Sequence, residues 1–184
     1  MEGWKYHMSK RMRQYLGVLA ALVSYYVIHE GAHFVYACSI GVFEKGRFLG
    51  LGVQIVTDTQ FMTDMQLGVF CAVGAIATLI VAYALTLTAP AICKVESEVF
   101  KACMYYITMA MLLLDPLYLS ALCGFFGGGD MNGIALLVPE WAARAFFGVL
   151  LVFNGILFWK VVLPKYRSAF VGAHLQSKKT SLCE

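Results

Sequence analysis

Four apolar stretches, each about as long as a bilayer is thick, predict an all-α polytopic membrane protein with about four transmembrane helices. The composition points the same way. The chain is 60% hydrophobic, its mean hydropathy is +0.73, and only 14% of its 184 residues are charged, against about 25% in soluble domains. The charges also fall between the apolar stretches and near the chain ends, as they must if the stretches lie in hydrocarbon.

The elements follow in order. Residues 1–14 form a basic segment with Lys5, Lys10, Arg11 and Arg13. No small-residue cleavage site closes a short apolar run behind it, so the first span is expected to stay in place. That span runs from Tyr15 to Cys38. The connection from Gly41 to Met65 contains Arg47-Phe-Leu-Gly-Leu-Gly-Val-Gln-Ile-Val-Thr57, apolar and β-branched with glycine breaks. It predicts one or two extended strands, a short β-like hairpin between the first two spans. The second span runs from Gln66 to Ala89, with Pro90 as its stop. The third, Val99 to Cys123, encloses Asp115-Pro116. Before the last span comes Phe125-Phe-Gly-Gly-Gly-Asp-Met-Asn-Gly133, whose glycines suit a re-entrant segment. The fourth span runs from Pro139 to Leu163, with Pro139 in the first turn and Pro164 at the end. Residues 15–164 thus read as a single transmembrane core, followed by a basic tail, 165–184.

Basic residues orient the spans. The N-terminal segment, the tail with Lys165, Arg167, Lys178 and Lys179, and the second connection with Lys94 are basic, and the other connections carry less for their length. Both termini are expected to face the cytoplasm, a parity that four spans satisfy. The net charge of +3 reports this orientation and gives no case for nucleic-acid binding. The six cysteines, Cys38, Cys71, Cys93, Cys103, Cys123 and Cys183, include no C-x-x-C pair and read as packing residues, not as disulfides or a zinc cage.

Chemistry is concentrated in the first span, where His29-Glu30-Gly-Ala-His33 stands in apolar surroundings. Glu30 is the only formally charged residue between Arg13 and Glu44. Ionisable groups in hydrocarbon are costly and by default mark function. Residues i and i+4 share a helix face, so both imidazoles can grip one metal ion while Glu30 handles protons. With four His and seven Glu in the chain, H-E-x-x-H would arise by chance roughly once in 300 sequences of this composition. The bland alternative is a buried hydrogen-bond knot of the same three side chains.

A catalytic zinc takes three protein ligands and keeps a fourth position open. His7 and His174 lie in the basic terminal segments, away from His29 and His33. Asp130 is favoured as third ligand because three glycines precede it, and because His29, about 21 Å of helix rise beyond Tyr15, sits in the outer half of the core where the glycine-rich segment can dip in. Asp115 is the alternative, either as a ligand or bonded to backbone near Pro116. Gln54 and Val56 are candidate substrate-binding residues, since an edge strand beside a protease site can hold a substrate as an added strand. A hairpin resting at the lipid surface is the other reading of that segment. Asn132 could position water or substrate, or serve as a turn residue.

With these residues in place, the chain resembles the site-2 protease family of intramembrane zinc metalloproteases. The likeness rests on His29-Glu30-x-x-His33 inside the first core span and on an Asp-bearing glycine-rich segment before a later span, and covers about Tyr15 to Leu163. Val73-Gly-Ala-Ile-Ala-Thr78 is similar to the family's small-residue motif, with Thr78 where that motif ends in Asn. Asp130-Met-Asn-Gly133 lacks the family's Asn-x-x-Pro spacing. The resemblance implies hydrolysis of a peptide bond in or near a transmembrane segment of a substrate protein or membrane-associated peptide, with zinc as cofactor and Glu30 as general base. A catalytically inactive protein that binds membrane segments and a metal transporter are the rivals. A di-iron hydroxylase would need several histidine clusters, and this chain has one.

Overall fold

The computed structural model describes residues 8–49 and 52–180, for Leu49, Gly52 and residues 172–180 the backbone alone. His7 and Lys5 lie outside the described residues, as do Cys183 and the side chains of His174, Lys178 and Lys179. Helix α1 spans Lys10–Ser39, strands β1 and β2 span Phe43–Leu49 and Gly52–Thr57, and helices α2 and α3 span Asp64–Ile92 and Glu98–Leu117. A short helix α4 covers Asp130–Leu137, and α5, Glu140–Leu157, leads into α6, Leu163–Thr180. Four helical stretches, beginning at Lys10, Asp64, Glu98 and Glu140, are long and apolar enough to cross a membrane. Large apolar side chains such as Leu19, Val23, Val27, Ile80, Leu87 and Val149 face outward, as a lipid-facing surface requires.

Small residues let the helices approach. On α1 the buried positions Gly17, Ala21, His29, His33 and Ala37 recur at four-residue spacing, so small residues and both histidines share one inward stripe. On α2, Gly74, Ala75, Thr78, Ala82, Thr86 and Ala89 are buried. α2 packs against α1, α3 and α4, and α3 lies between α1 and α5. α2 begins in a capping box in which Thr63 and Gln66 satisfy each other's backbone N–H groups.

Two helix ends differ from those the prolines suggest, and a third helix passes through its proline as expected. α2 continues past Pro90 to Ile92, because Pro90 lies in the last turn, where little helix remains to be broken. α3 runs through Pro116 and continues as a π-helical turn, Tyr118–Leu122, and a 3-10 turn, Cys123–Phe125. Pro116 has no N–H for the Leu112 carbonyl, and the buried Asn154 amide on α5 donates to that carbonyl at 2.8 Å. Asn154 in turn accepts from the Tyr83 hydroxyl at 2.9 Å. Pro164 does not end the fourth span either. A π-helical turn at Phe158–Val162 joins α5 to α6, and its longer-range hydrogen bonds remove the demand for an N–H at Pro164.

The connection between α1 and α2 is a two-stranded antiparallel hairpin, with Lys45 opposite Val56 and Arg47 opposite Gln54. Its first strand begins at Phe43, earlier than the apolar run starting at Arg47 suggests, with a bulge between Phe43 and Lys45. The glycine-rich segment is tighter than an irregular re-entrant loop. Gly127, Gly128 and Gly129 all take positive φ, at 76°, 88° and 50°. They reverse the chain so that Asp130 becomes the first residue of α4, which packs on α2. Gly133 makes that packing possible, since a Cβ there would overlap Cys71.

Candidate metal centre

The one-stripe geometry of α1 places His29 and His33 against α2, and the glycine turn brings Asp130 to them. His29 Nε2 and His33 Nε2 are 3.2 Å apart. Asp130 Oδ2 lies 3.2 Å from His29 Nε2 and 3.6 Å from His33 Nε2. Three ligands about 2.0–2.2 Å from a tetrahedral ion stand about 3.3 Å from one another, so this triangle has the size that zinc-like coordination sets. Three electron-rich atoms converging in this way repel unless protons or a cation lie between them. Among the described residues, His29, His33 and Asp130 are the group able to hold a metal ion. The donor set fits zinc: two imidazoles and one carboxylate, three of the four positions of a tetrahedral ion.

Asp130 lies outside the four long helices. Burial pushes its carboxyl up, but hydrogen bonds and charge from His29 and His33 outweigh burial and bring it down to about 2. It is therefore an anion at neutral pH.

Asp115 reaches the same imidazole from the other side. Its Oδ1 stands 3.3 Å from His29 Nδ1, close enough for charge attraction but too poorly aligned for a hydrogen bond, so Nδ1 has none. We take the contact as electrostatic; it favours a proton on Nδ1 and leaves the Nε2 lone pair facing His33 and Asp130. Asp115 is itself tightly held. The Tyr25 hydroxyl donates to its Oδ1 at 2.5 Å, and the Thr78 hydroxyl donates to its Oδ2. Tyr25 also stacks on His29, with ring centroids 5.3 Å apart. One carboxylate thus ties α1, α2 and α3 together behind His29. Of the two aspartates considered from sequence, Asp130 lies beside both Nε2 atoms and Asp115 beside Nδ1 of His29. His33 has no such support. Its Nδ1 is buried without a partner, and its ring packs at 4.7 Å on Phe70.

Gly74 backs the cluster. A Cβ there would stand 2.6 Å from His33 Nε2 and 2.8 Å from His29 Nε2. Only a residue without a side chain lets α2 pass this close to the imidazoles.

Glu30 is held by the hairpin. Its Oε2 accepts from the main-chain N–H of Ile55 at 3.1 Å, which leaves Oε1 available, and it lies within electrostatic reach of both imidazoles and of Asp130. Gln54 and Val56, singled out from sequence, flank that residue, and because the Ile55 N–H points to Glu30, theirs point the other way, toward β1. By strand alternation the main-chain groups on the free edge of β2 belong to Val53, Ile55 and Thr57. Asn132 stays apart from the cluster: it is exposed and donates to the Gly127 carbonyl at 3.0 Å, which closes the glycine turn. Tyr25, Gly74 and Asn154 were not singled out from sequence, though Tyr25 stands one turn before His29 on the same stripe.

Compared with protein-family models, curated proteins and solved structures, the chain matches none.

Proposed function

We propose that the chain is an intramembrane zinc metalloprotease that hydrolyses a peptide bond in or near a transmembrane segment of a substrate protein or peptide, and that it belongs with the site-2 proteases it resembles. One observation carries the reading: two histidines of a helix otherwise apolar enough to cross a bilayer bring their Nε2 atoms within 3.6 Å of one another and of Asp130 Oδ2 on α4, with Glu30 beside them.

A zinc ion held by His29, His33 and Asp130 would supply Lewis acidity, making water acidic near neutral pH and polarising a carbonyl. The chain's own groups do the rest. Glu30 Oε1 accepts the proton of the attacking water and returns it to the leaving amine. The Ile55 N–H holds the other oxygen of Glu30 in place. Asp115 fixes the ring of His29, and Asp130 offsets cationic charge beside the two imidazoles. The free edge of β2, through Val53 and Thr57, offers main-chain groups to an extended substrate segment. A helical substrate must unwind to use them.

The test is zinc content and cleavage of a membrane-segment peptide, measured on purified protein in detergent. Glu30→Gln is expected to retain zinc and lose about 10²–10⁴-fold in cleavage rate. His29→Ala is expected to lose both. Full cleavage by Glu30→Gln, or a wild-type chain that takes up no zinc, overturns the reading. Zinc uptake without cleavage by any variant favours a membrane-segment-binding protein, and zinc flux into vesicles favours a transporter.

A further inference from the structure

We infer that a groove at the other end of the bundle binds an anionic phospholipid. The groove has a volume of about 810 Å³ and lies between α1, α3 and α6. It opens near Lys10, about 28 Å of helix rise from His29. The inference does not depend on peptide-bond cleavage.

The walls and the rim differ in chemistry. Tyr105, Tyr106 and Phe170 line the wall, a surface suited to an acyl chain. Lys10, Arg13 and Arg167 stand at the rim with a single carboxylate, Glu98. Glu98 is ion-paired with Arg13, and among the described residues Lys10 and Arg167 have no ion pair. A further cation lies just behind the wall: Lys101 is 3% exposed, has no ion pair among the described residues, and sits 5.8 Å over the Phe170 ring. Excess positive charge above an apolar slot, at the ends of helices long enough to span a bilayer, is complementary to one ligand class: a phosphate diester carrying net negative charge and an acyl chain. Lys10 and Arg167 would take the phosphate, and the aromatic wall the upper part of the chain.

The full-length protein, purified and delipidated in detergent, is titrated with phosphatidylglycerol, phosphatidylcholine or inorganic phosphate, and read by thermal unfolding and native mass spectrometry. Phosphatidylglycerol is expected to raise Tm by about 5 °C and to remain bound as a single lipid, while the other two shift Tm by less than about 1 °C. The double variant Lys10→Gln/Arg167→Gln should lose more than half of that shift, and Lys45→Gln/Arg47→Gln on the distant hairpin should keep it. Val171→Asp, at an exposed position of the groove, should also lose it with both cations intact, which covers the case in which the double variant does not fold. Equal shifts with phosphatidylcholine, an equal shift with phosphate alone, or a full phosphatidylglycerol shift in either groove variant overturns the assignment.

Discussion

Two regions bring a carboxylate to His29, and they do so by different construction. Asp115 comes from the middle of α3, is 1% exposed, and is clamped by hydroxyls from α1 and α2. Asp130 comes from the first residue of a short helix behind three positive-φ glycines and keeps 24% of its side chain exposed. The buried carboxylate sits in a rigid frame and faces Nδ1. The half-open one faces Nε2, where it meets a second imidazole. In the proposed centre the same residue type would therefore take two roles, set by which nitrogen it approaches and how far it is sealed from solvent. A ligand that must leave room for water and substrate belongs on the open side, and a group that fixes a tautomer belongs on the sealed side.

Substitution separates the two roles. The largest effect is expected for Asp130→Ala, which removes one of the three proposed ligands: zinc affinity should fall by more than about 100-fold, beyond the range of a supporting residue, as measured by competition with a chelator. Asp115→Asn should cost about 10–100-fold in zinc affinity while the fold stays intact by circular dichroism. Equal losses in the two variants would erase the distinction between ligand and support. Gly74→Ala tests the backing that both regions share. Its added methyl must displace the imidazoles, so destabilisation of about 1–3 kcal/mol and weakened zinc binding are expected together. The smallest effect on the metal should come from Asn154→Leu, which strips the Leu112 carbonyl of its donor beside Pro116. It should lower stability by about 1–3 kcal/mol yet change zinc affinity less than Asp115→Asn does.

Much of the bundle was legible in the chain. Hydrocarbon thickness dictates run length, so the spans could be located from their apolar runs to within about five residues at most ends. The fourth is the exception, because its helix runs on past Pro164. Proline was the misleading signal at two ends: Pro90 and Pro164, read as stops, lie inside helices, in a last turn and behind a π-helical turn, whereas Pro116 lies inside α3 as expected, its missing N–H replaced by a donor from Asn154. The β-like hairpin was visible from its β-branched residues, but the strand register was not. That register, together with the Ile55–Glu30 bond, puts Ile55 against the site, where Gln54 and Val56 had been expected. Asn132 took the turn role because the glycine loop needed its side chain to close.

The sequence alone determined that His29 and His33 share a helix face and that Glu30 stands between them, since helical periodicity is local. It favoured Asp130 over Asp115 from the glycines and the depth match, but it did not hold the contacts themselves, because each aspartate lies more than eighty residues from the histidines, and such contacts depend on how helices cross. Tertiary structure set those contacts: α3 presents Asp115 to one nitrogen of His29, the three glycines turn Asp130 toward the other, and Gly74 lets α2 close behind both imidazoles.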